Sequence, residues 1–285
     1  MASLRDIKQR KSSIQSTQQI TKAMKLVSTV KLQKARTRAE QANPYFNYMY
    51  QTVTSMLARS GSLEHPYLKP GNSAKKAVVV ISSNRGLAGG YNSNIVKLLT
   101  GSEIPKEDVK VYAIGRKAMD GLERKGYEIT ADHSDVMDGP TYGDAIAICN
   151  EILDAYSKGE IGEIYLAYTH FKNTVSHVPT LMKLLPVEFD EEEISSADIS
   201  IPMNYEPNEE EALDRIIPKY ITSLFYGALV EAVASENGAR MQAMDSATSN
   251  AEEIIGDLTL KYNRARQSNI TQELTEIIAG AEAIS

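Results

Sequence analysis

Residues 2 to about 58 contain no glycine and one proline, Pro44, and residues 208 to 285 contain only Pro218. Both stretches are built largely from good helix formers, and each predicts one long helix. A helix of roughly 70 residues runs on the order of 100 Å at about 1.5 Å per residue, several times the globular average. Such a helix needs a partner along most of its surface. The N-terminal helix is the partner within the chain, running antiparallel to it as a coiled coil. Being shorter, it is expected to leave one end of the C-terminal helix uncovered.

The side-chain pattern fits that pairing. Apolar or small residues recur at Leu4, Ile7, Ile14, Thr21, Met24, Val27 (or Ser28), Val30 and Ala35, close to a heptad spacing but polar for much of its length. Pro44 is expected to kink the helix rather than end it, because Tyr45 to Leu57 resumes the pattern. At the other terminus Ile270, Leu274, Ile277, Ala281 and Ile284 follow at steps of four, three, four and three. No further segment remains to cover that seam. It either frays or enters an apolar socket of another protein, and the residues alone leave both open.

Between the helices, about 75 to 187, strand and helix signals alternate. Strands are expected at Ala77–Ser82, Val109–Ile114, Glu163–Thr169 and Thr180–Val187, and helices near Asn92–Thr100, Arg116–Lys125 and Thr141–Lys158. That alternation implies a mainly parallel sheet covered by helices. Residues 188 to 207 read as an acidic linker, with Pro202 and Pro207 opposing helix. The domain boundaries expected are therefore 1–58, 75–187, 188–207 and 208–285.

The formal charge of −6 hides a strong polarity. Residues 1 to 40 carry ten Lys or Arg against Asp6 and Glu40, whereas Val187 to Asp214 carries eleven Asp or Glu and no base. Residues 1 to 40 contain no aromatic residue, which argues against nucleic acid; charge alone leaves open whether this basic face is solvated or meets an acidic protein surface. No stretch approaches the roughly 20 apolar residues of a membrane span, so none is expected. With Cys149 the only cysteine, an intrachain disulfide is excluded.

"SSNRGLAGGYN", residues 82 to 92, follows the first strand and resembles a nucleotide loop. It lacks the Lys-Ser/Thr of a phosphate-binding P-loop, and Gly86, Gly89 and Gly90 do not have the G-x-G-x-x-G spacing. It is read as a structural strand-to-helix turn. His65, His133, His170 and His177 show no metal-ligand spacing and are read as ordinary surface or loop residues. Cys149 is read as a small core residue, and no catalytic, cofactor or metal site is expected.

Three stretches carry a resemblance. "IKQRKSSIQSTQQITKAMKLVSTVKLQKA", "SSNRGLAGGYN" and "NRARQSNITQELTEIIAGAEAI" are similar, in order and spacing, to the γ subunit of bacterial rotary (F-type) ATP synthases. Two positions depart from the family: Asn84 and Ala88 stand where relatives commonly carry Asp and Cys. The cysteine-pair insertion of chloroplast relatives is also missing. The resemblance implies an α/β fold: an antiparallel coiled coil of the terminal helices with a central Rossmann-like domain that binds no nucleotide. It implies a non-catalytic rotor shaft within a ring of α and β subunits, footed on the ε subunit and the membrane c-subunit ring. Arg266, Gln267 and Thr271 are then expected to contact a β loop, and Lys22, Met24 and Lys25 to face an acidic β segment. Ile270, Leu274, Ile277, Ala281 and Ile284 would form an apolar bearing. An unprocessed Met1 without a targeting segment leads to the expectation of a bacterial protein, peripheral on the cytoplasmic side of the cell membrane.

Overall fold

A computed structural model of the chain describes residues 4–60, 65–187, 204–206 and 208–282. The expected acidic linker falls almost wholly outside the described residues, as does Ile284. The N-terminal helix α1 spans Leu4–Ser60, through Pro44. After it come β1 (Lys76–Ile81), α2 (Tyr91–Thr100), β2 (Val109–Ile114), α3 (Arg116–Glu123) and β3 (Glu128–Asp132). Next are α4 (Tyr142–Ser157), β4 (Glu163–Phe171), β5 (His177–Leu185) and the C-terminal helix α5 (Glu209–Glu282).

The chain divides into two compact units, one of residues 29–240 and one of residues 1–28 with 241–285. In the first, the five strands lie in the order β3-β2-β1-β4-β5. All neighbours are parallel except β4 and β5, which form an antiparallel hairpin. The run Ala77-Val78-Val79-Val80-Ile81 is wholly buried because the sheet is covered on both faces. Val78 and Val80 pack with Ile95, Leu99, Ala118 and Leu122 of α2 and α3. Ala77, Val79 and Ile81 belong instead with Val53 and Met56 of α1, Ile148 and Ile152 of α4, and Leu213, Phe225 and Leu229 of α5. The long helices thus donate their ends to the core of the α/β domain. Thr141 caps α4 with a reciprocal capping box to Asp144, which fixes where that helix begins.

Two expectations need correction here. Strand β3 was not foreseen, because it is an edge strand whose residues alternate between exposed and half-buried. Helix α5 also contains an 18-residue window of mean hydropathy 1.2 that meets the length and composition of a membrane span, although none was expected. Because 56 % of that window is buried inside the protein, it reads as a core helix.

In the second unit, α1 and α5 run antiparallel. Gln18 Nε2 donates to Glu252 Oε1 at 3.0 Å, the Thr21 and Thr248 hydroxyls meet at 2.8 Å, and Lys25 Nζ reaches Asp245 Oδ1 at 2.5 Å. Each pair's residue numbers total 269 or 270, so the register is constant. On α1, Leu4, Ile7, Lys11, Ile14, Gln18, Thr21, Lys25 and Ser28 are covered in alternating steps of three and four, with Met24 half-buried beside them. On α5, Met241, Met244, Thr248, Ala251, Ile255, Leu258, Tyr262 and Ala265 follow the same steps, with Gln242, Ala243, Ala247 and Thr259 half-buried beside them. Ser28 and not Val27 occupies the seam, and Val27 is 58 % exposed. A heptad with so many polar members holds register at a cost in stability.

Candidate functional site

The register carries Leu4 of α1 level with Ala265 of α5. From Arg266 to Ala281 every residue of α5 is exposed, and the uncovered part is about 25 Å long. Its surface has two faces. Arg264, Gln267, Ser268, Thr271, Gln272 and Thr275 form a shallow polar stripe. Ile270, Leu274, Ile277 and Ile278, between 49 and 68 % exposed, lie on an apolar face with Ala281.

Of the sequence-selected contact residues, Gln267 and Thr271 come together one turn apart, the Thr271 hydroxyl donating to the Gln267 carbonyl at 2.9 Å. Arg266 stands apart from them, about 100° round the helix and one turn before Ile270 on the apolar side. Arg264, Ser268, Gln272, Thr275 and Ile278 were not singled out from the sequence. Helical spacing from Gln267 and Leu274 would have found Arg264, Thr275 and Ile278. On α1, Lys22 is exposed and Met24 half-buried, while Lys25 is paired with Asp245 across the coiled coil. Ile20 and Leu26 add exposed apolar surface near Lys22, at 60 and 62 %.

A second candidate site is the crevice of the α/β domain. The strand order reverses between β1 and β4, and in open α/β sheets that switch point, at the carboxyl ends of the strands, is where ligands bind. Here α5 lies across it. Tyr91 Oη donates to the Ala232 carbonyl at 3.2 Å, and Ser235 Oγ donates to the Thr169 carbonyl at 3.0 Å. His170 Nδ1 meets Glu231 Oε2 at 2.7 Å. Burial pushes the Tyr91 phenol well above its ordinary pKa, so it serves as a proton donor only. At Gly238 a Cβ would come within 2.5 Å of His177 Nε2, so the glycine leaves room for the His177 ring against the helix.

The loop after β1 spends its polar groups within the domain. Ser82 Oγ donates to the Gly115 carbonyl and accepts from the Ala118 N–H, both at 2.9 Å. Ser83 Oγ donates to the Arg85 carbonyl at 2.6 Å, and its N–H donates to Asn92 Oδ1 at 2.9 Å. Asn84 donates through Nδ2 to the Ser134 carbonyl at 2.7 Å and accepts the Arg116 N–H at 3.2 Å. A carboxylate at position 84 would have only acceptors. An amide, which both donates and accepts, therefore suits position 84.

His65, His133 and His177 are more interior than expected, whereas His170 is exposed. The His65 side chain is wholly buried; its Nδ1 accepts from the Tyr67 N–H at 3.2 Å, which leaves the proton on Nε2, 3.2 Å from Asp214 Oδ1. His133 faces Glu151 at 3.1 Å. His177 is partly buried against α5, and desolvation lowers its pKa. A depressed histidine contributes stability that is full above its ordinary pKa of about 6.5 and is lost as pH falls through the lower folded value. The melting temperature should therefore fall on acidification below about pH 6.5, and less steeply in His177→Gln; equal slopes would refute the assignment. Burial pushes the Cys149 thiol up to about 12, leaving it unreactive. No cluster of three or more metal-ligating side chains occurs among the described residues.

Two terminal helices paired antiparallel, with a Rossmann-like domain inserted between them in sequence, define a coiled-coil protein whose α/β crevice is filled by its own helix. A family profile described as ATP synthase matches residues 3–284. The ATP synthase gamma chain of Lachnoclostridium phytofermentans is 67 % identical over the whole of both chains. That of Alkaliphilus metalliredigens is 42 % identical, with 99 % of this chain and 98 % of the relative covered. A gamma chain of Acetobacterium woodii described as sodium ion specific is 37 % identical, with 99 % of each covered. In fold, a chain of the Euglena gracilis mitochondrial ATP synthase matches with a TM-score of 0.72 at 19 % identity, covering 99 % of this chain and 94 % of that one. The chain belongs to the ATP synthase gamma chain family.

Proposed function

We propose that this subunit is the central rotor shaft of its ATP synthase, coupling ion translocation through the membrane sector to ATP synthesis or hydrolysis on the α/β ring, without catalysing either itself. The observation that carries the reading is the uncovered end of α5, polar on one face and apolar on another. A shaft that differs from side to side presents a different surface to each of three equivalent neighbours as it turns. Each orientation favours one conformation of the facing β subunit by differential contact energy, and linkage converts that preference into a shift of nucleotide affinity.

In this reading Arg266, Gln267 and Thr271 engage a β loop, with Arg and Gln holding a defined hydrogen-bonded register there. Lys22 and Met24 face an acidic β segment. Lys25 contributes charge to the same surface while tied to Asp245. Ile270, Leu274, Ile277 and Ala281 turn inside an apolar sleeve, with Ile284 continuing the spacing. The α/β domain rests on the ε subunit and the c-subunit ring. The protein is thereby peripheral to the membrane, on the cytoplasmic side of a bacterial cell.

Native mass spectrometry of the gently purified complex tests the assignment. It predicts three α, three β and one copy of this chain, with or without ε. A free chain or homodimer beside a complete synthase that contains another γ would overturn it. If the apolar face is a bearing, deleting residues from Ile270 onward lowers the stability of the assembled complex more than the torque of each step. An intact but motionless complex would contradict that.

A further inference from the structure

The part of α5 that fills the crevice is mostly apolar or small, but Glu231, which meets His170, and Glu236 and Arg240 are charged. Arg240 Nη1 lies 2.7 Å from Glu236 Oε1 one turn earlier, and the two side chains are only 12 and 13 % exposed. Arg240 Nη2 is 3.4 Å from both the Arg85 and the Gly86 carbonyl oxygens of the loop after β1. These carbonyls directly precede Leu87, whose φ of 63° makes it the one non-glycine residue with positive φ among the described residues. A residue held there is strained, and it persists only where its surroundings over-determine it. Ser82, Ser83, Asn84 and Tyr91 tether the two ends of the loop. Arg240 reaches its middle from the helix.

Stability alone does not call for this pair. Burial raises the Glu236 pKa although Arg240 and Lys31 act the other way, and Asp138 adds to the rise. A carboxyl that folding pushes upward costs stability once it ionises, and an apolar pair of similar volume would hold the helix to the sheet at least as well. The pair supplies direction instead. A planar guanidinium, braced by Glu236 and shared between two carbonyls, satisfies its bonds at one azimuth and one height of the helix only.

We propose that Glu236 and Arg240 form a positioning latch, fixing the rotational and axial register of α5 on the loop after β1 so that torque passes between the α/β domain and the helix without slip. The torque part of this proposal rests on the rotor reading above; the latch itself does not.

The test uses the whole synthase in sealed vesicles, carrying Arg240→Gln or Arg240→Lys. Hydrogen exchange of residues 83–90 in the assembled complex reads the latch, and ions moved per ATP hydrolysed read the coupling. Arg240→Gln should speed exchange at Gly86 to Gly90 about tenfold and lower the ions moved per ATP at least about twofold against a steep gradient. Complex yield and hydrolysis without a gradient should stay within about twofold. Arg240→Lys should fall between, since an ammonium keeps Glu236 paired but cannot span both carbonyls; it is the variant to read wherever Arg240→Gln gives too little complex. Unchanged exchange overturns the latch. Reduced yield with normal coupling in the surviving complexes overturns the positioning role and leaves a structural one. Faster exchange with unchanged coupling overturns the torque role, and failure of the unaltered chain to assemble with α and β subunits would sink the rotor reading instead.

Discussion

Replacing Arg266 and Gln267 together by alanine should leave the complex assembled while gradient-driven ATP synthesis falls on the order of tenfold to a hundredfold. Both residues are exposed on the part of α5 that α1 does not reach, so truncation removes no core contact. A hydrogen bond to a charged group contributes about 1.5–3 kcal/mol when it forms, and about 1.4 kcal/mol is a factor of ten in rate. Contacts made in one shaft orientation and not in another set how strongly that orientation is preferred. Their loss should therefore flatten the preference without emptying the sites. Synthesis rates in vesicles at a fixed gradient check this, and synthesis at the unaltered rate by a fully assembled double variant would dismiss the role.

Gly115→Ala should have the largest effect on folding. Gly115 joins β2 to α3 at a φ of +104°, and a Cβ there would lie 2.1 Å from the Ser82 carbonyl oxygen and 2.5 Å from its carbon. Ser82 cannot retreat, because its N–H donates to the Ile114 carbonyl at 2.7 Å and its Oγ is bonded twice. The ends of β1 and β2 must part, at a cost of about 3 kcal/mol or more. That is a large fraction of a typical domain's stability and corresponds to a melting temperature lower by roughly 6–12 °C. Gly86→Ala is the control, since no atom lies within 4 Å of a Cβ at that position. Equal melting temperatures for the two variants would show that the Gly115 geometry is not required.

The long helices were legible as unbroken runs of helix formers, α1 without glycine and α5 with only Gly227, Gly238, Gly256 and Gly280 along its length, and β1, β2 and β4 were legible as apolar runs. Strand β3 escaped because an edge strand needs only half a buried face: Glu128, Thr130 and Asp132 are exposed, and only Ile129 and Ala131 turn inward. The sequence left Val27 or Ser28 open in the coiled-coil seam, and spacing selects Ser28, whereas Val30, expected there for its apolarity, is 57 % exposed. Lys11, Gln18, Lys25 and Ser28 sit in the seam because steps of three and four bring them there. The crevice site was not legible at all. Tyr91 and Ala232 meet across 141 residues of chain and Arg240 meets Gly86 across 154, with no local pattern to announce either. What could be read locally was that SSNRGLAGGYN lacks the residues of a phosphate cradle. That α5 occupies the place of a ligand follows only from the topology.

The most direct test of the rotor account is to watch the subunit turn. A cysteine introduced at the exposed position Lys125 can be labelled selectively, because the native thiol of Cys149 is buried and its pKa is pushed up to about 12. With the α/β ring fixed to a surface and a visible probe on that cysteine, the account predicts turning in one direction while ATP is supplied and arrest when it is withdrawn. A probe that stays still while the same complexes hydrolyse ATP would contradict it.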